Sequence, residues 1–160
     1  MANVFKPDFD EPRDHDGFHA KRARVGRQLG TQRLGASVWE LPPGEAAYPY
    51  HAHLGDEELV FVLSGRPSLR TPAGWRDLEE GEAVCFLRGE DGAHQIVNRT
   101  DTQVRFLAIS TNGDPDLVLY PDSRKLGAAQ RLPEAPGGLM LFFRVADAVD
   151  YYVDESPPER

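Results

Sequence analysis

A chain of 160 residues with 40% hydrophobic composition has the size of one domain built on one core. Its 26 acidic residues outnumber 18 basic ones, giving a net charge of −8, and that sign repels phosphate backbones and argues against a nucleic-acid partner. One cysteine rules out an intrachain disulfide, no run reaches membrane-spanning length, and the first eight residues carry no apolar signal core, so the expectation is a cytoplasmic protein with no membrane partner.

Residues 1–34 read as an N-terminal arm, polar and broken by Pro7, Pro12, Gly17, Gly26 and Gly30, with room for one strand that pairs elsewhere. Lys21, Arg22, Arg24 and Arg27 make a local basic run, expected to be a solvated segment ahead of the first strand. His15 and His19 stand four apart, the spacing of a helical metal pair. Their polar surroundings and Gly17 favour a solvated arm instead.

From Gly35 short apolar or alternating runs recur: 36–41, 47–53, 58–64, 68–71, 75–78, 83–87, 94–98 and 104–110. Turn formers separate them, among them Pro42-Pro43-Gly44, Gly55-Asp56, Gly65-Arg66-Pro67, Glu79-Glu80-Gly81 and Gly89 to Gly92. No stretch of residues 35–110 shows a 3.6-residue apolar period. The pattern predicts an all-β fold, a sandwich or small barrel, with its core in residues 35–112. Residues 113–160 read as a C-terminal extension. In it, 111–138 is expected to be a long irregular excursion with one short strand near 117–120, followed by a last apolar strand at 139–145 and a frayed acidic tail. Cys85, flanked by Ala83, Val84, Phe86 and Leu87, is expected to be a small buried hydrophobe.

His51 and His53 are two residues apart, and on a strand such residues share a face, so two imidazoles can reach one ion. Glu58 opens an apolar run, Leu59-Val60-Phe61-Val62-Leu63, and a carboxylate buried there needs a cation or strong donors. Its neighbour Glu57 must face the other way and is expected to be exposed. His94 follows the Gly89–Gly92 turn and opens a further strand. Three imidazoles and one carboxylate form a borderline-soft set suited to Fe, Mn, Ni, Co or Zn in the divalent state. Cys85 with His94 lacks an orienting acid and does not make a nucleophilic triad.

These residues stand in two motifs. Gly44-x6-His51-Ala52-His53-x4-Glu58-x6-Gly65 resembles the first motif of the cupin superfamily, G-x5-H-x-H-x(3,4)-E-x6-G, with one extra residue in the first gap. Gly81-x5-Leu87-Arg88-Gly89-x4-His94-x3-Asn98 resembles the second, G-x5-P-x-G-x2-H-x3-N, with Leu87 in place of proline and a loop two residues longer. The resemblance, to small single-domain bacterial cupins of the conserved-barrel type, implies a double-stranded β-helix or jelly-roll barrel. It also implies His51, His53, Glu58 and His94 as ligands of one divalent metal, and a dimer made by strand exchange. The expected function is metal-dependent chemistry on a small oxygen-rich molecule: dioxygenase-like with Fe(II), isomerase or decarboxylase with Mn(II) or Zn(II). The alternative is a cupin that binds or senses a small molecule without turning it over. No general acid or base can be named from the sequence. A homodimer is expected because sheet edges and the 139–145 strand need cover.

Overall fold

The computed structural model describes residues 1–130 and 138–158. The alternating runs become strands that pair antiparallel in three sheets among the described residues. One has six strands in the order β1 (Glu11–Arg13), β2 (Ala20–Ala23), β3 (Gly35–Leu41), β10 (Val104–Ser110), β5 (Glu58–Ser64), β8 (Ala83–Phe86). A second runs β13 (Met140–Arg144), β12 (Lys125–Ala129), β11 (Asp116–Tyr120), β4 (Ala52–His53). The third runs β7 (Gly74–Asp77), β6 (Ser68–Thr71), β9 (Gln95–Val97).

β10 is the axis of the large sheet. Phe106 lies opposite Trp39 of β3 on one side and Val62 of β5 on the other. Residues of period two then face one way: Trp39, Leu41, Val60, Val62, Phe86, Val104 and Phe106 enclose the main core with Leu69, Leu78 and Ile96 from the smaller sheet and its connections. The opposite face of β3 and β10, carrying Val38 and Leu107, is covered as well. Val4, Phe9, Ala23 and Val25 from the arm pack there.

Two motif residues serve the backbone. Gly65 turns the chain at the end of β5 with φ of 81°, and a Cβ there would lie 2.9 Å from Val104 Cγ1. Asn98 is fully buried: its Nδ2 donates to Leu41 O and Thr102 O at 3.0 and 2.7 Å, and its Oδ1 accepts from Thr100 N and Oγ1 at 3.0 and 2.7 Å. Every hydrogen-bonding atom of the side chain is satisfied, so the turn after β9 is pinned.

Several expectations need correction. The arm is not one extended segment. It forms the β1–β2 hairpin, which extends the large sheet through β3, and a short helix α1 (Val25–Leu29). The basic run is not wholly solvated, because Lys21 and Arg22 lie on β2 and Arg22 sits opposite Trp39 on the core side. The 111–138 excursion is not irregular through residue 130. β11 and β12 make a regular hairpin with Asp116 opposite Ala129. The segment Lys125-Leu126-Gly127-Ala128-Ala129 lacks the β-branched residues that announce a strand, and pairing on both sides supplies what propensity does not. Pro136 and Gly137 of the 111–138 excursion, and Glu159 and Arg160 of the tail, lie outside the described residues. Cys85 is exposed rather than buried. β8 turns Val84 and Phe86 to the core, so Cys85 between them faces out. Among the described residues no helix is long and apolar enough to cross a membrane.

Candidate metal centre

The structure brings His51, His53, Glu58 and His94 together. His51 and His94 face each other in an isolated antiparallel bridge, His53 ends β4, and Glu58 begins β5. His51 Nε2 lies 3.0 Å from His53 Nε2, His94 Nε2 lies 3.3 Å from Glu58 Oε1, and His53 Nε2 lies 4.0 Å from Glu58 Oε2. Glu57, one residue earlier, is exposed.

The tautomers follow from what stands behind each ring. His51 Nδ1 is 3.0 Å from Pro49 O, His94 Nδ1 is 3.0 Å from Gly92 O, and His53 Nδ1 is 2.8 Å from Asp116 Oδ2. A carbonyl or carboxylate oxygen accepts, so each Nδ1 carries the proton and each neutral ring presents an Nε2 lone pair. Two such lone pairs at 3.0 Å repel unless a positive charge lies between them. Burial above all, with the adjacent His94 and His53 rings adding to it, pushes the His51 pKa down to about 3, so this ring is neutral. Burial alone would raise Glu58, but the His94, His53 and His51 imidazoles around it bring its pKa down to about 2, so it is ionised. Neutral imidazoles and an ionised carboxylate are the forms that ligate a metal. The donor set fits a divalent first-row ion.

Supporting contacts hold this geometry. Phe86 stacks on His94 with centroids 3.7 Å apart, and Tyr120 of β11 stacks on His51 at 6.2 Å. The backbone turns tightly before His94: a Cβ on Gly92 would lie 1.8 Å from Leu87 O, which leaves that position to glycine.

Sequence reasoning missed the group behind His53. Asp116 and Asp56 are buried, and one ligand atom each from His53, Asp56 and Asp116 falls within 4.8 Å of the others, a grouping that could itself hold a metal ion. Asp56 Oδ1 also accepts from Thr111 Oγ1 at 3.0 Å and from Gly113 N at 2.5 Å. The signal that marked Glu58, a charged residue opening an apolar strand, is equally present in Asp116 ahead of Leu117-Val118-Leu119-Tyr120. His15 and His19 form no helical pair. His19 instead contacts Glu45 at 3.0 Å and Asp14 at 3.2 Å.

The family description "Cupin domain" matches residues 37–110. Residues 37–110 are cupin-like. That span contains both motifs and all four clustered residues. No protein of curated function matches the chain significantly. Among crystal structures it is similar to a candidate sugar phosphate isomerase from Acidithiobacillus ferrooxidans, at 26% identity over 84% of this chain and 81% of that one, with a TM-score of 0.74. It is also similar to a sugar phosphate isomerase of the cupin superfamily from Silicibacter pomeroyi, at 22% identity over 92% and 94%, with a TM-score of 0.78. A predicted oxalate decarboxylase from Thermotoga maritima shares 19% identity over 69% and 97%, with a TM-score of 0.58. The latter two likenesses concern the fold alone.

Proposed function

We propose that His51, His53, Glu58 and His94 ligate one divalent transition metal and that this protein is a metal-dependent enzyme acting on a small oxygen-rich molecule. The observation that carries the reading is the meeting of three Nε2 lone pairs with an ionised carboxylate, each ring held in its tautomer from behind. Bound there, a divalent ion supplies Lewis-acid polarisation of a ligand oxygen. The chain's own residues orient and insulate. Asp116 fixes the His53 ring, Phe86 fixes the plane of His94, and the apolar core beneath keeps water from the inner side.

Of the reaction classes open to this ligand set, isomerisation or decarboxylation of a small oxygenated molecule is the one we favour, because the candidate and named sugar phosphate isomerases and the predicted oxalate decarboxylase described above share the fold. Elemental analysis of protein purified without an affinity tag, paired with oxygen-consumption measurements on sugar phosphates, small acids, thiols and diketones, tests this. Mn or Zn with conversion of a sugar phosphate or small acid in the absence of oxygen uptake is the expected result. Iron with substrate-dependent oxygen uptake moves the reading to a dioxygenase, and tight retention of a ligand without product moves it to a binding protein.

The proposed assembly is a homodimer. β13 is an edge strand exposed on both faces, with Met140 at 68%, Phe142 at 54% and Phe143 at 51% exposure, and Leu141 of the same strand shares a face with exposed Leu117 of β11. Apolar edges of this kind are normally covered. The arm, by contrast, already pairs with its own chain. Sedimentation at micromolar concentration should give twice the 17.8 kDa chain mass, and Phe143→Asp should return it to one chain. A wild-type mass of one chain sinks the dimer.

A further inference from the structure

Register sets which side chains of the four-stranded sheet share a face with His53. His53 lies opposite Val118, Val118 opposite Gly127 and Gly127 opposite Phe142, one row running across β4, β11, β12 and β13. One residue along from the Leu119–Ala52 pair, Tyr120 comes opposite His51, and the two rings are stacked at 6.2 Å. Tyr120 lies opposite Lys125, and Lys125 opposite Arg144. Residues directly opposite one another share a face, and so do residues two apart on a strand. This second row therefore sets two cationic side chains, Lys125 and Arg144, on the face that His51 and His53 occupy.

Local packing holds the row in shape. A Cβ on Gly127 would lie 3.1 Å from Phe142 Cε1 and 3.2 Å from Tyr120 Cε2, so the two rings close over the glycine, with centroids 5.9 Å apart. Lys125 Nζ stands 5.5 Å from the Tyr120 centroid and 5.9 Å from that of Phe142. Ring faces attract the ammonium and fix it without cancelling its charge. Val145 N donates to Arg124 O at 3.0 Å, which makes Lys125 and Arg144 the next, non-hydrogen-bonded pair, the kind whose Cα atoms are only about 4.5 Å apart. Like charges directly opposite destabilise a sheet. Among the described residues no carboxylate forms an ion pair with either cation. Asp116, the acid on this face, contacts His53, and Asp122, in the turn between β11 and β12, is held by Arg70 at 2.6 and 2.8 Å. Two cations thus stand side by side without a described counter-ion, in a chain whose net charge is −8.

We propose that Lys125 and Arg144 together receive an anionic oxygen group, a phosphate or a carboxylate, at one end of a small molecule whose other end lies at the metal centre. The planar fork of the arginine and the point charge of the lysine suit either group. Neighbouring strands stand about 4.8 Å apart, so Lys125 is roughly 10 Å from His51 along the row, within the span of a small molecule carrying its metal-binding oxygen and its anionic group at opposite ends. The inference rests on the metal-centre reading for where that other end lies.

The test uses the full metal-loaded chain, titrated calorimetrically with inorganic phosphate and, separately, with malonate. Metal content, melting temperature and sedimentation mass are measured on the same samples. The wild type should bind at least one of the two anions, and which one identifies the group. Lys125→Gln and Arg144→Gln should each weaken that binding by about 10- to 100-fold, the loss expected when a hydrogen bond to a charged group goes, with metal content and mass unchanged. Arg144→Lys should keep part of the affinity. The melting temperature should stay level or rise in both glutamine variants, because each removes a like-charge repulsion. Unaltered binding in both variants, or metal-loaded wild type that holds neither anion, overturns the inference. A fall in melting temperature in both also overturns it, since the pair would then serve the fold. So does a changed sedimentation mass, because the cations would then hold an acid of a second chain. Absence of metal from the wild type is instead a failure of the underlying reading, visible before any anion is added, and anion binding that still depends on Lys125 and Arg144 would uphold the subsite without it.

Discussion

Glu58→Ala should strip most of the metal from the purified protein, while Glu57→Ala should leave the metal content as it is. The two residues are neighbours at the start of β5 and face opposite ways: Glu58 lies 3.3 Å from His94 Nε2, and Glu57, just ahead of the strand, is exposed. Losing Glu58 removes the carboxylate and leaves imidazoles alone, and the expected fall in affinity is at least the roughly 10- to 100-fold that follows from losing a group behind a ligand. Asp116→Asn provides that milder case. It keeps the side-chain size but removes the charge that accepts the His53 Nδ1 proton, so an affinity loss of about 10- to 100-fold is expected. Elemental analysis, followed by competition against a chromogenic chelator, gives the three values side by side. Equal losses from Glu57→Ala and Glu58→Ala would mean that the carboxylate does not ligate.

Phe106→Ala should cost about 3–5 kcal/mol of folding stability. The ring is completely buried, sits on the strand flanked on both sides in the large sheet, and stacks on Trp39 at 6.4 Å. Its removal leaves a cavity between Trp39 and Val62 that backbone pairing on both edges prevents from collapsing. Against a total of about 5–15 kcal/mol, this is a large fraction. The melting temperature should drop by about 6–20 °C at roughly 2–4 °C per kcal/mol. Leu87→Ala is the control. Leu87 is 61% exposed, and its truncation should change stability by no more than about 0.5 kcal/mol. Urea unfolding of the three proteins checks both values, and a Phe106→Ala cost near that of the control would place the core elsewhere.

The all-β character and the four clustered residues were legible in the sequence because they rest on local rules. Period-two alternation predicts which residues of 58–64 and 104–110 face inward, and strand geometry puts His51 and His53 on one face. The motif spacing picks Glu58 over Glu57, and Asn98 marks the turn after the His94 strand. What was not legible depends on which strands meet. Asp116 is 63 residues from His53, and only the pairing of β11 with β4 carries it to the Nδ1 that it fixes. β12 has weak strand propensity and becomes regular because β11 and β13 pair with it on either side. Cys85 sits in an apolar pentapeptide, yet the register of β8 turns it outward. Arg22 reads as one member of a solvated basic run until β2 joins β3 and sets it over Trp39. Sequence by itself thus determined the strands of residues 35–110 and the local donor pairs, since each depends on residues within one pleat or one turn. The tertiary structure alone decided what stands behind His53 and what the arm packs against, because closing the sheets is what brings residues far apart in the chain into contact.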